Sequence, residues 1–297
     1  MLRVSATTYY VDASRANDAG AGTSWGTAKK TVQAAVGLAR AGDTVLVTNG
    51  VYNTGTTVTP GYALNNRVVI TNAITVRSIN GPSVTTIEGS GTNWFNTSSA
   101  VRCVYMKSGV LTGFTLTKGA TFGSGLGTYN DGLGGGVSMY AAIAGTLVTN
   151  CTISGCMAYY GGGSYNGTLN NCVLAGNSAS MYAGGSYNGK LYNCTLEGNS
   201  ASLCAGGSYI GTLNNCVLTG NSSVYGGGAS EGTLSNCVLT GNSSGYGGGA
   251  WNAVLTNCVL TGNSSGYGGG SGNGTLYNCT LAGNSASLGG GSYNDSL

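Results

Sequence analysis

One unit recurs seven times in register from residue 145 to the end of the chain, and nothing else in the sequence limits the fold so tightly. Its clearest copy runs Gly211-Thr212-Leu213-Asn214-Asn215-Cys216-Val217-Leu218-Thr219-Gly220-Asn221-Ser222-Ser223, followed by Val224-Tyr225-Gly226-Gly227-Gly228. The cysteine returns as Cys151, Cys172, Cys194, Cys216, Cys237, Cys258 and Cys279, spaced by 21 or 22 residues. A leucine keeps step as Leu147, Leu169, Leu191, Leu213, Leu234, Leu255 and Leu276, and so does the apolar residue two places after each cysteine. Such self-similarity marks a solenoid. Within the unit the apolar period is two, so Cys216 and Leu218 point to one side while Val217 and Thr219 point to the other. Gly and Asn punctuate the short strands as turns require. A leucine-rich repeat has a similar period, but it needs denser leucine and a helical return; here the return is Tyr-Gly-Gly-Gly. The unit therefore predicts an all-β chain, a parallel β-helix with three short strands per coil and hydrogen bonds closed by the coils above and below. Seven coils stacked at the strand spacing make about 30–35 Å of rod.

The rest of the chain reads as the same architecture in less regular form, so residues 1–297 make a single β-helix domain. Residues 1–60 supply an amino-terminal arm, a capping helix and a first strand. Residues 61–144 form irregular coils, with an insertion at about 117–144 that contains Tyr129, Asp131 and Tyr140. Val68-Val69-Ile70-Thr71 and Ala73-Ile74-Thr75-Val76 read as strands, and Val110 to Leu116 repeats the core motif with Phe114 in the cysteine slot. A helix is expected over Thr27–Arg40, where Ala28, Val32, Ala35, Val36 and Ala39 share a face and Gly42 stops it. Placed ahead of the first coil, it covers the open end of the core.

Tyr9-Tyr10-Val11-Asp12-Ala13-Ser14, Gly22-Thr23-Ser24-Trp25-Gly26-Thr27 and Ala41-Gly42-Asp43-Thr44-Val45-Leu46-Val47 resemble the start of secreted bacterial right-handed parallel β-helix proteins of the pectate-lyase-like superfamily. The Leu-x-Asn-Cys-x-Leu-x-Gly-Asn-Ser units resemble that family's core repeats, and the resemblance runs from Tyr9 onward. It implies a right-handed coil. It implies no single function, because the superfamily mixes lyases, hydrolases, adhesins and structural rods. Its lyases use Asp-rich calcium sites beside an Arg or Lys base and its hydrolases use clustered carboxylates.

Charged residues make up 6% of the chain, against about 25% in an average soluble protein. There is no His, which removes imidazole bases, Ser-His and Cys-His nucleophiles and His metal sites. No basic cluster suggests nucleic acid, and no apolar run approaches a membrane span. Residues 145–297 contain only Lys190, Glu197, Glu231 and Asp295 as charged groups, so no cofactor, metal or catalytic site is expected there. If the chain is an enzyme, Glu88, Arg102, Lys107 and Asp131 near the insertion are the candidates. The ladder cysteines are read as buried thiols; Cys103, Cys156 and Cys204 lie off the ladder, and a disulfide among them stays open. Two asparagine rows, Asn171 to Asn278 and Asn177 to Asn284, read as turns with stacked amides. Sequons such as Asn221-Ser222-Ser223 follow from a composition rich in Asn, Ser and Thr.

Two surface rows stand out. Val217, Thr219, Val238, Thr240, Val259 and Thr261 form a flat, uncharged outward ladder suited to contact, with ice a remote partner. Tyr165, Tyr187, Tyr209, Trp251 and Tyr293 follow the glycines; turned outward, the favoured reading, they make a strip for sugar rings or protein, and turned inward they are core. Val4-Ser5-Ala6 resembles the remnant of a signal-cleavage site, which suggests an extracellular protein. No capping repeat follows the last coil, so the chain is expected either to be a fragment or to meet another copy. The leading expectation is a non-enzymatic structural protein that self-associates end to end into a filament, bridged by the Met1–Tyr10 arm. A carbohydrate-binding or adhesive surface rod is the alternative, and a polysaccharide lyase or hydrolase is the third.

Overall fold

The computed structural model describes residues 5–91, 99–121 and 129–297, with the backbone alone at 129 and 130. Four sheets run along one axis, each taking one strand per coil. The first has eleven strands, from Thr8–Val11 and Thr44–Val47 to Thr275–Tyr277; the second has ten, from Gly50–Tyr52 to Thr280–Ala282. The third has eleven, from Thr57–Val58 to Ser292–Tyr293, and the fourth has seven, from Met157–Tyr160 to Ser285–Leu288. Pairing within the sheets is parallel except where Thr57–Val58 meets Asn65–Ile70. The regular coil thus has four strands instead of the expected three. Its Ser222–Tyr225 stretch pairs with Ser243–Tyr246 of the next coil and so is a strand, not a loop.

Each coil turns at four corners, and each corner holds a residue in the left-handed region. Asn171, Asn193, Asn215, Asn236, Asn257 and Asn278 make one corner at φ 50–54°, where Asn is the non-glycine residue that fits best. Directly after it comes the cysteine, facing inward. Cys151, Cys172, Cys194, Cys216, Cys237 and Cys258 are buried, and Cys279 in the last coil is half-buried. Their thiols donate to the carbonyl two residues back, as Cys216 Sγ does to Asn214 O at 3.3 Å. All ten cysteines are free. Burial pushes the Cys151 thiol up to about 12, so it packs as a neutral apolar group. One continuous core runs from Val11 through this ladder to Leu276. In the first regular coil the rung is Val148, paired with Leu169, and not Leu147, which pairs with Thr168 on the outer face. The 22-residue step from Leu147 hides this slip of one.

The second asparagine row lies inside. Asn177, Asn199, Asn221, Asn242 and Asn263 are fully buried. In each, the backbone N and Nδ2 donate to the Oδ1 of the asparagine one coil on, at 2.9–3.0 Å. The second Nδ2 hydrogen goes to a core carbonyl such as Leu196 O. Every donor and acceptor of these amides is used, which is what permits their burial.

The helix is shorter than expected, Val32–Val36 in place of Thr27–Arg40, capped by Thr31 Oγ1 and ended at Gly37. Residues before it are spent on tertiary pairing: Lys29 exchanges backbone hydrogen bonds with Tyr10 and Asp12, and Asp18 accepts from the N–H groups of Lys30 and Thr31. The predicted apolar face is nevertheless buried at Ala28, Val32, Ala35, Val36 and Ala39. The helix shares the core with Val11, Val45 and Val47 and so covers its amino-terminal end. Of the expected insertion 117–144, residues 122–128 lie outside the described residues, as do residues 1–4 of the arm. Val137–Ser138 from that segment is an ordinary rung of the third sheet, between Val101–Met106 and Ser164–Tyr165.

Candidate functional site

Of the four charges considered for catalysis, only Arg102 and Asp131 come together, and both are fully buried. Arg102, in the third-sheet strand Val101–Met106, reaches into the loops that contain residues 55–64 and 129–134. Its Nε donates to Leu133 O and Gly134 O, and its Nη1 to Thr59 Oγ1 and Asn66 Oδ1. Asp131 Oδ1 accepts from the N–H groups of Ala63 and Leu64. Burial draws the Arg102 guanidinium down to about 10, against the pull of the Asp131 carboxylate, and it stays charged at neutral pH. This network ties two loops to the rod and presents no charge to solvent. Glu88 sits on the second sheet, where it accepts from Lys118 Nζ at 2.9 Å, and Lys107 is exposed beyond the strand Val101–Met106. Among the described residues no group of three His, Cys, Asp or Glu side chains is placed to hold a metal ion.

The aromatic row fares differently. On the third sheet Ser164, Ser186 and Ser208 are buried on the inner side, so the next residues, Tyr165, Tyr187 and Tyr209, lie on the outer side. Tyr165 is itself buried beside Tyr140, at a centroid distance of 6.4 Å; Tyr187, Tyr209, Trp251 and Tyr293 are half-buried. A second row, which the sequence reading did not single out, ends the fourth-sheet strands: Tyr160, Tyr182, Tyr225, Tyr246 and Tyr267. The signal was present as the Tyr that precedes five of the seven Gly-Gly-Gly or Ala-Gly-Gly triplets of residues 145–297, with Cys204 and Leu288 in the other two. The two rows meet across the bend at those glycines and form one strip parallel to the axis.

Ring faces within the strip cover each other. Tyr165–Tyr187, Tyr182–Tyr209, Tyr225–Tyr246 and Tyr246–Tyr267 stack at 4.9–5.1 Å with planes within 16°. Trp251 meets Tyr246 edge to face at 5.4 Å. Gly272 is not a gap in the row: a Cβ there would lie 2.7 Å from Trp251 Cζ3, so the glycine makes room for the indole. The strip therefore offers ring edges and hydroxyls, and few open faces. Tyr209 Oη donates to Glu231 Oε2 at 3.1 Å; partial burial and the Glu231 charge push the Tyr209 pKa upward, so the phenol stays neutral.

The Val/Thr ladder lies on the second sheet, with Val217 beside Val238 and Val259, and Thr219 beside Thr240 and Thr261. Its valines are 37–38% exposed.

No protein-family model matches the chain, and no curated protein matches it. Among solved structures it is similar to pectate lyase Pel9A, at 13% identity and a TM-score of 0.47, with 93% of this chain and 71% of that one aligned. It is similar to the Dettilon tailspike protein at 10% identity and a TM-score of 0.50, over 93% of this chain and 55% of that one. It is similar to XylC in its complex with xylose at 10% identity and a TM-score of 0.50, over 97% and 70%. Identities this low carry the fold alone. The chain is a right-handed parallel β-helix, similar in fold to the tailspike protein and XylC.

Proposed function

We propose that this protein is a glycan-binding surface rod with no catalytic centre of its own in residues 145–297. The observation that carries the reading is the aromatic strip, a double row of half-buried Tyr and Trp on the outside of a nearly uncharged coil. Aromatic edges that end in a polar hydroxyl or indole N–H suit ligands that are themselves amphipathic, and sugars are such ligands. Each rung carries at least one tyrosine of the two rows, with rungs about 4.8 Å apart, so a chain polymer lying along the axis meets a phenol at each step. The sealing of Arg102 and Asp131 inside a structural network, with Glu88 and Lys107 apart from them, supports binding without cleavage. XylC, which shares the fold, is known with xylose bound; a sugar on a rod of this shape is compatible with that. A secreted or cell-surface location goes with this reading.

The test is retention on insoluble polysaccharides. The wild-type protein is expected to bind at least one of them and to release no soluble sugar. Trp251→Ala is expected to weaken retention about tenfold, a loss on the scale of one aromatic hot spot. Release of oligosaccharide product, or equal retention of the variant, argues against the reading.

Self-association is the competing reading, favoured by the regular Val/Thr ladder. Simple end-to-end stacking is opposed by Val32–Val36, which covers the amino-terminal end of the core and would have to be displaced.

A further inference from the structure

A cleft of about 390 Å³ opens under the segment 139–146, within the range of about 300–1,000 Å³ common for small-molecule sites. It lies where the third sheet turns into the first, directly beside the strip, because Asn188 and Ile210 follow Tyr187 and Tyr209 in the chain. Its lining includes Ile143, Asn166, Asn188, Lys190, Ile210 and Thr212.

Three departures from the repeat coincide there. Ile210 occupies the corner that Asn166, Asn188, Asn252, Asn273 and Asn294 hold in other coils, and it does so at φ 45°. A β-branched residue in the left-handed region is an outlier, and strained backbone concentrates at ligand sites. Lys190 is the one cation of residues 145–297, placed on the rung between Thr168 and Thr212. It is exposed, and among the described residues it takes part in no ion pair. Ile143, on the overhanging segment, is 55% exposed.

We propose that this cleft recognises the acetamido group of an N-acetylated amino sugar in a neutral glycan. The inference rests on the strip being a glycan surface and names what that surface selects. Ile143 and Ile210 take the acetyl methyl, and the Lys190 ammonium donates to the acetamide carbonyl. Asn166 and Asn188, already aligned by a 3.0 Å bond from Asn188 Nδ2 to Asn166 Oδ1, meet the ring hydroxyls. A polyanionic glycan fits less well: beyond the one lysine, the charged groups of residues 145–297 are Glu197, Glu231 and Asp295, and Glu231 lies on the strip itself.

The experiment is calorimetric titration of the full chain with triacetylchitotriose, chitotriose and cellotriose. The wild-type protein is expected to favour triacetylchitotriose over both others by at least tenfold, with little dependence on salt. Ile210→Asn restores the repeat residue and is expected to raise the melting temperature, yet it should erase most of that preference. Lys190→Gln should erase it as well, and both variants should keep the cellotriose affinity of the wild-type protein. Equal affinity for the three sugars, or a preference unchanged in both variants, overturns the cleft assignment. If Trp251→Ala still weakens binding about tenfold, the strip stands and the cleft alone has failed; if no sugar binds at all, both fail.

Discussion

At the scale of single residues, the two asparagine rows show how one side chain solves two problems. Asn215 and its ladder mates are exposed and turn a corner, whereas Asn221 and its mates are buried and bond from coil to coil. Their sequence environments look alike, because alternation breaks at both, so the division of labour is visible only in three dimensions. It predicts unequal costs. Asn221→Ala leaves Asn199 N, one Nδ2 hydrogen of Asn199 and Leu196 O without their partner, while Asn242 Oδ1 keeps the backbone N–H of residue 221. At about 1–3 kcal/mol for each buried group left unpaired, urea denaturation should show a loss of about 3 kcal/mol or more. Asn215→Ala should cost about 1–2 kcal/mol, the penalty of left-handed backbone at one residue. Equal losses would contradict this division. The burial of Asn221 also closes its sequon to modification in the folded coil.

At the scale of elements, the glycine bend and the capping helix were legible to different degrees. The triple glycine marks a sharp bend in the sequence, but not the reason for it. A Cβ on Gly249 would lie 2.5 Å from Gly270 O in the next coil, so a side chain there forces coils apart. Gly241, at a corner with φ 62°, has nothing within 4 Å of a Cβ. Gly249→Ala is therefore expected to abolish cooperative thermal unfolding, while Gly241→Ala costs about 1–2 kcal/mol; the reverse order would be inconsistent with the packing. The helix is shorter than its apolar face because the backbone before it is claimed elsewhere, by Asp18 and by the strand Thr8–Val11. Beside it, Asp43 accepts from the N–H groups of Arg40 and Thr7, which hold its carboxyl below the ordinary 3.8. A depressed folded pKa stabilises at neutral pH and loses that contribution as pH falls through the folded value. Amide exchange at Thr7 should accelerate on acidification in the wild-type protein and be nearly independent of pH, after correction for the intrinsic rate, in Asp43→Asn.

At the scale of the whole molecule, the repeat alone was enough to reach the β-helix, because only stacked coils satisfy a 21–22-residue period with strand alternation. The site was not legible in the same way. Of Glu88, Arg102, Lys107 and Asp131, the coil puts Glu88 on the second sheet and leaves Lys107 beyond a third-sheet strand, while it buries Arg102 and Asp131 together. Tyr160, Tyr182, Tyr225, Tyr246 and Tyr267 went unnoticed as a partner row because the fourth strand that carries them reads as a loop of Ser, Gly and Ala. What emerges is a rod whose charges are few or internal and whose distinctive surface is one aromatic corner. The most direct measurement is a crystal structure of the protein soaked with a long oligosaccharide that it retains. The account predicts an uncleaved chain lying along the axis against Tyr187, Tyr209, Tyr246 and Trp251. Sugar bound on the Val/Thr face, or cleaved product beside Glu88 or Lys107, would contradict it.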